Sequence, residues 1–296
     1  MSQPATQKTV YLNGEYLPLE EARIPVLDRG FIFGDGIYEF IPVFGRIPFR
    51  MHEHYQRLER SLAAVRIPNP FDEAGFAAIV ARLMDSHPWE NQGIYVHITR
   101  GVAPRDHSFP KDIRPTVFIM ANPLALPTPA QISEGLSVSV REDIRWLLCD
   151  IKAISLLGHC MLRTEATDEG NAEVVLTRNG FLTEASSSNV LVVKDGTVLC
   201  PPKNHLILPG ITYDVVLELL HEHGFKHEVR PVTVAELRSA DEVWITSSTK
   251  DVLAITRMDG QPVGSGRPGP LLQRIRPLFT ALKARLAATG GLPARA

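Results

Sequence analysis

Lys152 sits among Ile151, Ala153 and Ile154. An amine in apolar surroundings loses part of the solvation of its charged form, and a neutral amine attacks carbonyls, the first requirement of Schiff-base chemistry. Glu184 follows downstream, then Ser186, Ser187, Ser188 and Asn189. On chemistry alone, a lysine in a strand is more often an edge residue that carries its amine to water. Arg105 and His107 flank Asp106 in a loop with prolines at both ends. From an extended segment they project the same way and offer two donors to a carboxylate, although a solvated loop is the plainer reading. Gly210 and Ile211 lead into an amphipathic helix with Thr212 as a suitable N-cap, and helix starts after glycine are ready phosphate sites; many bind nothing. Thr246, Ser247, Ser248 and Thr249 end a strand in hydroxyls that either ring a phosphate or close a turn. Tyr38, just after Gly34-Asp35-Gly36, lines a pocket or fills a core. His52 and His54 have the spacing of a metal pair, but no third ligand follows, so no metal is expected and both read as surface residues.

The elements that must position these residues alternate in type. Residues 9–17 read as a hairpin turning at Asn13-Gly14, and 37–44 as a strand with Tyr38 and Phe40 on one face and Glu39 on the other. Tyr55, Leu58, Leu62 and Val65 fall at helical spacing within 52–65, and a second helix over 72–86 starts at Asp72. Residues 93–99 and 116–121 are strands around the Arg105 loop. The stretch 122–134, with three prolines and almost no charge, marks a boundary. Beyond it come strands over 136–140, 173–177, 189–193 and 242–248, hairpin turns at Asn179-Gly180 and Asp195-Gly196, and helices over 156–169, 212–223 and 271–286. The expected organisation is a small N-terminal α/β domain (1–121), an interdomain linker (122–134) and a larger C-terminal domain (135–296).

Bulk properties narrow the function classes. The chain has 296 residues, 44% hydrophobic, with a formal net charge of −2, so no basic excess favours nucleic acid. The three cysteines, Cys149, Cys160 and Cys200, are widely spaced with no CxxC, which suits buried reduced thiols in a cytoplasmic protein. The N-terminus lacks an apolar core of signal-peptide length, and no apolar stretch approaches a membrane span.

Seven segments in one order carry a resemblance: DRGFIFGDGIYE (28–39), HEHYQRL (52–58), TRGVAPRDHSFP (99–110), EDIRWLLCDIK (142–152), LTEASSSNV (182–190), LPGIT (208–212) and ITSST (245–249). The chain resembles the fold-type IV pyridoxal-phosphate aminotransferases, nearest their D-amino-acid branch, from Thr9 to about Leu286. The resemblance implies an α+β fold of two domains, the larger a C-terminal pseudo-barrel, and pyridoxal 5'-phosphate as cofactor. It implies that Lys152 forms the Schiff base and moves the substrate Cα proton as a general base. Glu184 matches the carboxylate beside the pyridine nitrogen. Arg57, Ile211, Thr212, Ser247 and Ser248 match the phosphate site, and Ser187, Ser188 and Asn189 pack around the cofactor. Tyr38, Arg105 and His107 match the trap for the substrate α-carboxylate, with the Arg105/His107 loop reaching in from the partner subunit of a homodimer.

The implied reaction is transamination between D-amino acids of the D-alanine and D-glutamate type and 2-oxo acids such as pyruvate and 2-oxoglutarate, with neither nucleic acid nor membrane as partner. The Arg-x-His loop is the reason for choosing D-stereochemistry. Three alternatives stand beside it: a branched-chain L-amino-acid or (R)-amine aminotransferase, an aminodeoxychorismate-lyase-type enzyme, and a non-catalytic relative. Ala153 stands where the family usually has a hydroxyl residue, and His159 where it has a small or amide residue. Both departures bear on the side-chain pocket.

Overall fold

The computed structural model describes residues 8–288. The chain divides into two compact units. Among the described residues, one takes in 8–124, Ile151–Ser155 and 286–288; the other takes in Ala125–Asp150 and Leu156–Arg285.

In the first unit a six-stranded antiparallel sheet runs β2-β1-β6-β5-β3-β4. Strands β1 (Thr9–Leu12) and β2 (Glu15–Pro18) form the expected hairpin, with Asn13 and Gly14 both at positive φ. A short helix α1 (Arg29–Phe33) leads through Gly34 into β3 (Gly36–Phe44) and β4 (Ile47–Pro48). Helices α2 (Met51–Ala64) and α3 (Glu73–Asp85) precede β5 (Gln92–Thr99) and β6 (Thr116–Pro123). The period-2 rule sorts β3 as its sequence suggests. Ile37, Ile41 and Val43 join Ile94, Val96, Ile98 and Ile119 in a core with Leu58 and Leu62 of α2 and Phe76 and Val80 of α3. Tyr38 lies on the opposite face, where its ring approaches that of Tyr95. Ile151–Ser155 runs alongside β3: Tyr38 N donates to Lys152 O (2.9 Å) and Ile154 N to Gly36 O (3.1 Å). The segment is an extended loop rather than a named strand.

The second unit begins with α4 (Pro129–Glu134), a turn and a half fixed by a Thr128/Gln131 capping box inside the stretch read as linker. Then come β7 (Leu136–Glu142), α5 (Leu157–Asp168), β8 (Glu173–Arg178), β9 (Phe181–Ala185), β10 (Asn189–Lys194) and β11 (Thr197–Cys200). Helix α6 (Ile211–Glu222), β12 (His227–Val229), α7 (Val234–Arg238), β13 (Glu242–Ser247), β14 (Asp251–Met258), β15 (Gln261–Pro262) and, as far as Arg285, α8 (Pro270–Ala288) complete it. The nine strands form one mixed sheet, β12-β11-β10-β13-β14-β7-β8-β9 with β15 on β14. Its inner face packs Val175, Val190, Val192, Ile245, Leu253 and Ile255. A parallel β7–β8 pair requires a crossover, which α5 supplies, burying Leu162 and Ala166 on Val174 and Leu176. The α+β architecture with a half-barrel sheet agrees with the expected fold class.

Three local expectations are corrected. His54 is fully buried, not a surface residue, because α2 turns it toward Glu39. The N-cap of α6 is Gly210, which places Ile211 and Thr212 in the first turn. Cys160 is exposed, whereas Cys149 and Cys200 are buried; all three are free thiols.

Candidate active site

In the first unit, the backbone pairing of Ile151–Ser155 with β3 sets the direction of Lys152. Its half-buried side chain lays Nζ over the Tyr38 ring, 4.2 Å from the centroid. Ala153 forms a backbone bridge with Ile37 and is buried. On the other face of β3, Glu39 receives Arg57 through two nitrogens, Nη2 to Oε1 at 2.6 Å and Nε to Oε2 at 2.9 Å. His54 Nδ1 lies 3.0 Å from Glu39 Oε1. Burial opposes ionisation of Glu39, but the Arg57 charge and the bonds from His54 and Arg57 outweigh it and hold the carboxyl far below its usual range. Burial pushes His54 down in turn, which favours a neutral ring donating from Nδ1. This leaves His54 Nε2 buried with no hydrogen-bond partner among the described residues.

Arg105 and His107 are both exposed and meet on one ring: the Arg105 guanidinium lies 5.4 Å from the Phe33 centroid and His107 5.6 Å from it. Their loop is anchored from beneath. Asp35 accepts Arg29 Nε at 2.7 Å and Arg100 through Nε and Nη2 at 2.8 and 2.9 Å, while Arg29 Nη1 reaches Asp106 O at 2.5 Å. Arg100 also stacks on Phe109 at 3.5 Å. Gly101 sits at φ +90°, where a Cβ would fall 2.0 Å from Arg114 O, so only glycine lets the loop leave β5 this way. Sequence reasoning missed Arg29, Phe33, Asp35 and Arg100. Their signal was two charges inside DRGFIFGDG and one in TRG, readable only once a shared partner is known.

In the second unit, β9 carries Glu184 into a buried setting. Its Oε1 accepts Arg145 Nη1 at 2.5 Å; its Oε2 accepts Leu208 N and Asn189 Nδ2, each at 3.1 Å. Burial pushes the Glu184 carboxyl up to about 7, and Arg145 with the Leu208 amide only partly offsets this. Asn189 also donates to Leu208 O at 2.9 Å, so its amide ties Glu184 to the segment before α6. Gly210 touches the same amide: a Cβ there would lie 2.1 Å from Asn189 Oδ1.

No side chain caps the start of α6, and Ile211 and Thr212 are buried in its first turn. Asn189 pairs with Thr246 at the end of β13, which places the 247–249 hydroxyls at the end of a strand bonded to Asn189. Thr246 Oγ1 is buried without a partner among the described residues. An uncapped helix start beside a hydroxyl-rich turn is a fitting cradle for a phosphate. Ser247 Oγ lies 3.3 Å from Thr249 Oγ1 and accepts Lys250 N at 3.2 Å, and Ser248 is half-buried beside it. Ser186 and Ser187 both donate to buried Glu173, and Lys250 Nζ donates to Ser188 Oγ at 3.3 Å, so the serine turn is held by a carboxylate and an ammonium group. Among the described residues no cluster of metal-ligating side chains occurs, and no helix is long and apolar enough to cross a membrane.

Comparison with known proteins agrees with the geometry. Residues 36–258 match the family described as amino-transferase class IV. A D-alanine aminotransferase of Bacillus licheniformis is 39% identical over 267 residues, covering 90% of this chain and 94% of its own. A solved branched-chain amino acid aminotransferase of Escherichia coli superposes with a TM-score of 0.87 at 26% identity, covering 93% of this chain and 94% of that one. A branched-chain enzyme from Thermoproteus uzoniensis, solved with norvaline, gives 0.85 at 23% identity, covering 93% and 94%. The last is a likeness of fold alone. With most of its length inside the family match and more than a third of its residues shared with a relative of equal span, the chain belongs to the class IV aminotransferases.

Proposed function

We propose that this protein uses pyridoxal 5'-phosphate to transaminate D-amino acids of the D-alanine and D-glutamate type with 2-oxo acids such as pyruvate and 2-oxoglutarate. The observation that carries the reading is Lys152: its amine is presented over Tyr38 by a segment hydrogen-bonded to β3 at Tyr38 itself and at Gly36. The cofactor, when bound, supplies a carbonyl for amine capture and an electron-poor ring that withdraws electrons from the substrate Cα. Lys152 would hold the cofactor through its amine and would move the substrate Cα proton as a general base. In the protein without cofactor, the Tyr38 ring holds the Lys152 ammonium in place by cation–π contact.

Glu184 would accept a hydrogen bond from the cofactor ring nitrogen. The first turn of α6, with Ile211 and Thr212, joins Ser247, Ser248 and Arg57 in binding the phosphate, and Ser187, Ser188 and Asn189 line the cofactor. Arg105 and His107 seat the α-carboxylate with Tyr38, donating from the Phe33 platform to a planar anion. Both donors are exposed on a loop anchored by Asp35, which supports a homodimer in which this loop serves the partner's site. Free thiols at Cys149, Cys160 and Cys200 support a cytoplasmic location.

The test is a half-reaction followed by absorbance, with D-alanine, L-alanine and L-leucine added separately to protein loaded with pyridoxal 5'-phosphate. Bleaching of the cofactor band by D-alanine alone is the expected result. Bleaching by L-leucine alone moves the protein to the branched-chain branch, and absence of any band sinks the cofactor assignment.

A further inference from the structure

Arg145 donates the shortest hydrogen bond that Glu184 receives, 2.5 Å against 3.1 Å from Asn189 and from the Leu208 amide. Its Nε and Nη2 grip Asp143 Oδ1 and Oδ2 at 2.9 and 2.8 Å, and its backbone N–H donates to Oδ1 at 3.1 Å. Nη2 also reaches Leu206 O at 3.3 Å. This double grip fixes the guanidinium plane and directs Nη1 at Glu184 Oε1. Asp143 is itself fixed, by Arg178 Nη2 at 3.2 Å and by Thr183 Oγ1 at 3.0 Å. The order Arg178, Asp143, Arg145, Glu184 is therefore a row of alternating charges, with the last three almost wholly buried.

We propose that Arg145 is the positioning residue that favours the ionised form of Glu184 and aims it, and that Asp143 is the opposing member that limits how far Arg145 does so. Arg145 lowers the cost of the Glu184 charge, and Asp143 raises it. The proposal rests on the reading of Glu184 as the partner of the cofactor ring nitrogen, because a carboxylate accepts from a protonated ring nitrogen more strongly than a carboxylic acid does and balances its charge. It also gives the His159 departure a place. His159 Nε2 lies 3.4 Å from Arg145 Nη1, on the nitrogen that serves Glu184. The groups facing this row are then Asp143, Arg145 and Cys149 from the segment after β7, His159 from α5, Arg178 from β8, and Asn189 with the Leu208 amide beside Glu184.

Opposite signs separate this role from mere structural support. The full chain is labelled with glutamate carrying carbon-13 at its side-chain carboxyl, and the Glu184 resonance is identified by its loss in Glu184→Gln. Its titration is read before and after pyridoxal 5'-phosphate is added. In the unmodified protein without cofactor the midpoint is expected near 7. Arg145→Met moves it up by about one pH unit or more, Asp143→Asn moves it down, and Arg145→Lys falls between the unmodified protein and Arg145→Met. Movement of Arg145→Met and Asp143→Asn in the same direction, or of neither, overturns the proposal. If Arg145→Met does not fold, Asp143→Asn, which keeps an acceptor oxygen for Arg145, decides alone: a downward shift supports the proposal, and no shift or an upward one overturns it. Failure of pyridoxal 5'-phosphate to alter the Glu184 titration removes the cofactor reading instead, while opposed shifts in the two variants still establish the Arg145–Asp143 control of Glu184.

Discussion

Glu39 and Glu184 are both buried carboxylates on strands, and each is bonded to a buried arginine. They nonetheless end in opposite electrostatic states. Glu39 has Arg57 through two nitrogens and a further hydrogen bond with His54, so its charge is fully matched and its carboxyl lies far below the usual range. Glu184 receives one nitrogen of an arginine whose other two nitrogens hold Asp143, and burial carries it to about 7. A buried carboxylate gripped by two nitrogens of one arginine is an anchor, whereas one with a shared arginine is poised between its two protonation states. The first ties α2 to β3; the second stands where proton-dependent chemistry belongs.

Lys152→Ala separates chemistry from both carboxylates. It should lower kcat by roughly 10³-fold or more, as expected for loss of both covalent attachment and proton transfer. Unfolding in urea should change little, and a matching loss of stability would mean the lysine is structural. Glu39→Gln should come next in size. In the protein without cofactor it removes the carboxylate that pairs with buried Arg57 and should destabilise the first unit by about 3–5 kcal/mol, read as a lower urea midpoint at unchanged slope. A variant of full stability would erase the distinction between anchor and poised group.

The pH dependences should have opposite signs. Glu39, with its folded carboxyl depressed, contributes stability that is present above about 4.5 and lost as pH falls through the folded value. Glu184 is raised from 4.5 to about 7, so the folded state binds the extra proton and stability falls as pH climbs across that interval. Glu184→Gln should flatten the loss between about pH 4.5 and 7, and urea titrations at several pH values would show it. An unchanged slope would place Glu184 at an ordinary carboxylate value. The smallest effect belongs to the half-exposed Arg230, which pairs with Glu228 and Glu236 at 2.9 and 2.7 Å. Arg230→Ala should cost no more than about 1 kcal/mol, because water already solvates those charges. A larger loss in thermal unfolding would show that burial is not what separates the strong pairs from the weak ones.

The sequence by itself determined the local elements and the types of residue available for chemistry. Alternation along 37–44 put Tyr38 and Glu39 on opposite faces, and Asn13-Gly14, Asn179-Gly180 and Asp195-Gly196 turn where their left-handed conformations are needed. Periodicity located α2, α3 and α6 to within a residue or two, and the motifs singled out Lys152, Glu184, Arg105 and His107. Strands β9, β11 and β14 were not read, because continuous burial on both faces erases the alternation that marks a strand.

What only the tertiary structure decided is which groups share a partner. Nothing in a linear pattern distinguishes His52, exposed and paired with Glu73, from His54, buried against Glu39. Nor does spacing show that Arg29 and Arg100 converge on Asp35, or that Arg145 divides itself between Asp143 and Glu184. A charge's energy depends on what surrounds it in three dimensions, through burial and through partners many residues away, so one sequence signature, a glutamate in an apolar strand, yields an anchor at Glu39 and a poised group at Glu184.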